Sequence, residues 1–231
     1  MSRASMTVAA TALPRAPLFG IASCPVGPDL LEFEIGWDEV ERDVEWAETL
    51  LRSAGLRAGD MVLITVNSWE APWTAPVVRA MRRIGVVYIT AEVWGFDARR
   101  TSMFLQRLPI KAIFGLFADT LTGLEADEIG LPELLNNVEI VWARPDAAAR
   151  LADASVTVLQ FILLGPALGL GVPGRPGVMV NGAEWKVETD NGELVVSNMR
   201  QRAATFDQVP TGLRGSVRST SDGALSVQIE N

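Results

Sequence analysis

From Trp37 to about Leu168, apolar residues fall alternately at helical and at strand spacing. Asp38 and Glu41 have the capping-box spacing, and behind them Val40, Val44, Ala47, Leu51 and Ala54 recur every three or four positions until Gly55 supplies a stop. This predicts a helix. Residues 61–66, apolar except for Thr65, then read as a buried strand. A second helix is predicted over 77–83, ended by Gly85, and it leads into a strand over 86–90. Asp97 is placed to cap a third helix that runs to Leu108, with Pro109 as its breaker. Further strands are predicted at 111–117, 138–142 and 156–164. Continuous apolar runs separated by amphipathic helices predict an α/β fold with a largely parallel sheet covered on both faces.

The texture changes after Leu164. Six glycines and three prolines fall between Leu164 and Gly182, which reads as linker composition. Beyond it, alternating residues 184–188 and 193–196 flank Asn191-Gly192, a hairpin signal, and 216–218 and 224–229 flank Ser221-Asp222-Gly223 as a second one. The expected division is a loosely ordered arm over 1–20, an α/β core over 21–170 and a small antiparallel β subdomain over 171–231.

Composition narrows the chemistry. The chain of 231 residues has no histidine and one cysteine, Cys24, which excludes a Ser-His-Asp triad, a Cys-His dyad and an internal disulfide. No metal and no cofactor is expected. A net charge of −8 repels phosphate backbones, so neither nucleic acid nor an anionic membrane is an expected partner. The longest apolar run, 156–164, is too short to span a bilayer, and the amino-terminal residues lack a signal-peptide core; a cytoplasmic location is expected.

Three blocks carry a family resemblance. Ala54-Gly55-Leu56-Arg57-Ala58-Gly59-Asp60, leading into Met61-Val62-Leu63, resembles the Ala-Gly-x-x-x-Gly-Asp helix end and following strand of the adenylate-forming (ANL) enzymes. Residues 78–87 are similar to that family's Ala-x-x-x-Gly-Ala-x-Val stretch, and 192–199 to its Gly-Glu-Leu-Val-Val-Thr-Asn-Leu signature. Together they resemble the phenylacetate–CoA ligase branch, which activates a carboxylate with ATP and passes the acyl group to coenzyme A. The resemblance implies the fold of the large domain.

The resemblance also implies where the nucleotide machinery should stand, and there the residues depart from it. The phosphate loop falls on Ser23-Cys24-Pro25-Val26-Gly27-Pro28-Asp29, where two prolines remove N–H donors and Asp29 adds a repelling charge. A plain structural loop is the expectation there. The magnesium-binding Tyr-Gly-x-Ser/Thr-Glu falls on 164–168; Gly165 survives but Leu168 replaces the carboxylate. The ribose-binding Tyr-x-Thr-Gly-Asp falls on 209–213; Thr211 and Gly212 survive but Leu213 replaces the acid. The carboxy-terminal lid with its lysine would begin near Asn231, so no lid domain is expected. Acyl-adenylate and CoA-ligase activity is therefore expected to be absent.

The same resemblance places an acid pocket on Trp69, Trp73, Glu92, Trp94 and Phe114. Trp69 and Trp73, four apart at a helix start, share one face and are suited either to wall a slot for a flat ligand or to pack a core or subunit interface. Glu92 and Tyr88 are the weak catalytic candidates; Glu92 follows a strand, at the edge where α/β sheets present their sites, although a solvated carboxylate is the plainer reading. Cys24 is either a nucleophile or an inert buried thiol. The expected function is a non-adenylating pseudoenzyme that binds a small organic, possibly aromatic, acid or serves as the partner of an intact ligase. The alternatives are a repurposed ATP-independent enzyme and an oligomerisation module. A homodimer is expected.

Overall fold

Each central strand has two buried faces. Val62, Ile64, Ala112, Phe114, Ile140 and Trp142 point into one core cluster, while the intervening Leu63, Ile113 and Val141 point into another. A period of two with both phases apolar requires cover on both sides. The computed structural model describes residues 16–126, 130–152, 154–219 and 224–230. Residues 1–15 of the expected arm and the Ser221-Asp222-Gly223 turn lie outside the described residues.

The first face is covered by a hairpin, β1 (Gly20–Val26) and β2 (Asp29–Ile35), and by helices α1 (Trp37–Ser53) and α2 (Ala71–Ile84). The second is covered by α3 (Ala98–Arg107), α4 (Ala118–Glu125), α5 (Leu131–Leu134) and α6 (Pro145–Arg150). Between the layers, β3 (Met61–Ile64), β4 (Val87–Thr90), β5 (Ile110–Leu116), β6 (Ile140–Ala143) and β7 (Thr157–Leu164) run parallel in the order β7-β6-β5-β3-β4. The sheet continues antiparallel from β7 through β8 (Ala167–Leu170), β9 (Val178–Val180), β13 (Leu225–Ile229), β12 (Val209–Ser219), β11 (Glu193–Asn198) and β10 (Trp185–Asp190), giving eleven strands among the described residues. The molecule is thus an α/β protein with a mixed sheet flanked by helices and a separate small hairpin sheet.

Several local expectations change. Helix α1 begins at Trp37 with Gly36 as its N-cap and no side-chain cap, so Asp38 lies in the first turn and acts on the helix dipole instead. Helix α2 starts at Ala71, earlier than expected, because Pro72 occupies a first-turn position where its missing N–H is not needed. The stretch 165–182 is not a linker. It holds β8 and β9, and Gly169, Gly171 and Gly177 serve close packing: a Cβ on Gly169 would lie 2.6 Å from Val178 Cγ2. Asn191 and Gly192 both take positive φ, 50° and 85°, and close the β10–β11 hairpin as the sequence predicts.

The amino-terminal helices and carboxy-terminal strands are clipped together by charge. Arg202 on the loop after β11 has a side chain only 6% exposed; it lies 2.8 Å from Asp43, 2.8 Å from Glu184 and 3.8 Å from Glu39, and stacks 4.4 Å over the Trp185 ring. Arg42 grips Glu184 with two further bonds of 2.6 and 3.0 Å. Burial holds the Asp43 carboxyl above its ordinary value, against the pull of Arg202. A carboxyl raised in this way favours folding below its unfolded value of 3.8 and loses that contribution as pH rises through its folded value. The urea midpoint of the wild type, minus that of Asp43→Asn, is expected to fall as pH rises above about 4. A pH-independent difference would mean that Arg202 fully offsets the burial.

Candidate functional site

The site is built at the carboxyl ends of the parallel strands, the edge from which α/β sheets present ligands. After β3 the chain turns at Asn67 into a 3₁₀ turn, Ser68–Glu70, before α2 begins. Asn67 and Glu70 cap this turn reciprocally, and Glu70 Oε2 accepts the Asn67 N–H at 3.0 Å. That bond turns Glu70 inward, and the residue has no exposed surface. Arg144 leaves the end of β6 and forms an ion pair with Glu70. Its guanidinium lies 4.1 Å from the Phe161 ring centroid and 5.1 Å from that of Phe117. Burial pushes this guanidinium down, to about 10, while Asp146 opposes the shift, so it remains a cation at neutral pH.

Around this pair lies a cleft of about 370 Å³. Trp69 and Trp73 form one wall, and Phe117, Leu163 and Gly165 line the strand-end side. Ser23, Cys24 and Pro25 of the β1–β2 hairpin and Thr211 of β12 complete it. Trp73 Nε1 donates to Gly165 O at 3.1 Å, which fixes the start of α2 against the β7–β8 turn.

The residues singled out from sequence divide between this cleft and other places. Trp69, Trp73, Ser23, Gly165 and Thr211 meet in it. The two tryptophans differ in exposure, however: Trp69 is 60% exposed, whereas Trp73 is 5% exposed and packs edge-on against Phe33. Phe114 is fully buried against Trp142 and Phe161, because its phase of β5 faces the sheet interior. Glu92 is exposed outside the cleft, and Trp94 is half-exposed beside it in the chain. The Tyr88 hydroxyl accepts a 3.0 Å bond from Arg82 Nε on α2, and its ring lies under the same guanidinium. Cys24 is buried, and burial pushes its thiol up, away from nucleophilic use.

At the expected phosphate loop, the backbone forms a tight hairpin. Val26 pairs with Asp29 across Gly27-Pro28, and Pro25 pairs with Leu30. Gly27 carries the positive φ of that turn, 58°. Leu168 is buried in β8, Gly212 N–H donates to Glu193 at 2.9 Å, and Thr211 Oγ1 donates to Leu194 O at 2.8 Å. Leu213 is half-buried on β12. Among the described residues, no three carboxylate or thiol groups converge to hold a metal ion, and no helix is long and apolar enough to cross a membrane.

Sequence reasoning missed Glu70, Phe117, Arg144 and Asp146. Arg144-Pro145-Asp146 carries the same signal that drew attention to Glu92, a charged residue two positions after a predicted parallel strand. Glu70 stood between the two tryptophans.

No family model and no curated protein sequence matches the chain. Solved structures do. A 2-hydroxyisobutyryl-CoA ligase in complex with 2-HIB-AMP and CoA superposes with a TM-score of 0.70 at 11% identity, over 93% of this chain and 53% of the ligase. The fold is that of the adenylate-forming ligases. An anthranilate CoA ligase in complex with anthranoyl-AMP gives 0.65 at 12% identity over 94% and 49% of the two chains. The amide bond synthetase McbA from Marinactinospora thermotolerans gives 0.58 at 12% identity over 94% and 51%. The chain therefore spans about half the length of these solved structures, and the likeness is one of fold.

Proposed function

We propose that this chain is a non-adenylating relative of the phenylacetate–CoA ligase branch that holds a small aromatic acid or acyl derivative in the cleft between Trp69, Trp73 and Phe117. One observation carries the reading. The aromatic wall and the old nucleotide-site positions Ser23, Gly165 and Thr211 share a single cleft, yet the hairpin beside it is a proline-bearing two-residue turn with no open row of N–H donors. A triphosphate needs such donors together with a cation and its carboxylate ligand. Leu168 and Leu213 offer neither charge nor hydroxyl.

The catalytic alternative through Glu92 or Tyr88 gains no support, since neither side chain lines the cleft. Association with a second copy or with an intact ligase belongs to the same proposal, and the exposed Phe96 and Trp94 supply apolar surface for it.

ATP–pyrophosphate exchange with aromatic acids is expected to stay at background, while aromatic probes raise the thermal midpoint without ATP or magnesium. Trp69→Ala, at an exposed position, should weaken that binding about five- to tenfold, as expected for losing one aromatic wall. Exchange above background, or an unchanged response in Trp69→Ala, contradicts the proposal.

A further inference from the structure

Two outward faces of the molecule carry unpaired charge beside bare apolar residues. One is a groove of about 1120 Å³ along α3, on the side of the sheet that α3 to α6 cover. Arg99, Arg100, Met103 and Arg107 recur along it at three- and four-residue spacing, so they share one side of the helix. Phe96 stands at its start, 81% exposed. Arg100 pairs with Asp97, but among the described residues Arg99 and Arg107 have no ion-pair partner. A chain of net charge −8 thus lines this groove with three cations and one acid.

The other is the outer face of the β1–β2 hairpin, across the sheet from the groove. Ala22, Cys24, Phe33 and Ile35 are buried, and strand alternation turns Ile21, Leu30, Glu32 and Glu34 outward. Ile21 and Leu30 are 69% and 70% exposed. Asp29, Glu32 and Glu34 are exposed too, and among the described residues none has an ion-pair partner. Single exposed acids or apolar residues are ordinary surface. Here unpaired acids beside Ile21 and Leu30 on one face match, in kind and in sign, unpaired arginines beside Phe96 on the other.

We infer that the α3 groove receives the β1–β2 hairpin of a second copy, its acids against Arg99 and Arg107 and its apolar residues against Phe96. This rests on the reading that the chain associates with itself, and it names the surfaces that meet. Each copy carries −8, but at physiological salt a Debye length of about 8 Å leaves the charges at the contact to decide. Groove and hairpin lie on opposite sides of the sheet, so each pairing leaves one of each open. Association is therefore head to tail, not a closed two-fold dimer.

Sedimentation at about 0.15 M salt tests this with two variants, all of their changes at exposed positions. Arg99→Glu with Arg107→Glu spoils the groove, and Leu30→Gln with Glu32→Gln and Glu34→Gln spoils the hairpin. The wild type is expected to exceed the mass of two chains by about 100 µM, and each variant alone to associate at least about tenfold more weakly. An equimolar mixture of the two variants should form a 1:1 pair that grows no further, because each keeps one working face. A wild type that remains a single chain overturns the pairing and self-association together. Self-association that either variant leaves unchanged, or a mixture that does not pair, overturns the pairing alone. Aromatic-probe binding in the cleft is a separate readout.

Discussion

Arg202→Ala is expected to lower stability by about 3–5 kcal/mol, the usual cost of removing one partner from a buried ionic cluster. Three carboxylates converge on this guanidinium, and Glu39 and Glu184 are almost wholly buried. Arg42 keeps hold of Glu184, so the cost falls on Glu39 and Asp43, which among the described residues keep bonds from the Ala203 N–H and the Asn181 amide. For a chain of this length the thermal midpoint should drop by roughly 10 °C. Arg202→Lys should recover only part of the loss, because a point ammonium neither spans three acids nor stacks flat on Trp185. The cluster joins α1 to the segments before β10 and after β11. Its loss should therefore loosen the carboxy-terminal strands first, which hydrogen exchange would reveal as early opening of β10 and β11. A change below about 1 kcal/mol would show that water reaches the acids and that the clip is not structural.

The second large effect concerns the cleft. Arg144→Ala should cost about 3–5 kcal/mol, because it leaves Glu70 charged with no exposed surface and one backbone bond. Replacing both, as Glu70→Leu with Arg144→Met, should return most of that stability, since a buried ion pair exchanged for apolar side chains is often close to neutral. The double-mutant cycle separates the two roles of the pair. Near-wild-type stability in the double variant, with probe binding abolished, means the pair is there for the ligand. A double variant as unstable as the single one would make the pair a structural element and remove the reason for assigning it to recognition.

Much of the fold was legible because burial in this protein is periodic over short distances. Residues 61–64, 112–114 and 140–143 are apolar in both phases, and that pattern already demands helices on both faces. The Asn191-Gly192 turn was legible because two consecutive positive φ values narrow the choice of residues. The stretch 165–182 was misread for the opposite reason. Its glycines look like flexibility, but Gly169 is there because β9 packs too closely for a side chain. Composition alone does not distinguish a glycine that frees the backbone from one that admits a neighbour.

The candidate site was only half legible. Trp69 and Trp73 were visible as a local pair, but their spacing placed both on one face and said nothing of how differently they are exposed. Glu70 and Arg144 lie on different strand ends, and no periodicity links them; the order β6-β5-β3 brings them together. The same holds for Arg202 with Glu39 and Asp43 across the length of the chain.

By itself the sequence determined the parallel strands, helices α1 to α3 and the β10–β11 hairpin, the absence of imidazole chemistry and the presence of leucine at positions 168 and 213. Each of these is a property of single residues or of neighbours within a few positions. The tertiary structure alone decided which charges meet, which tryptophan faces solvent and where a cleft remains open. Those outcomes depend on strand order and on how two helical layers seat against one sheet, and these are set by contacts between residues far apart in the chain.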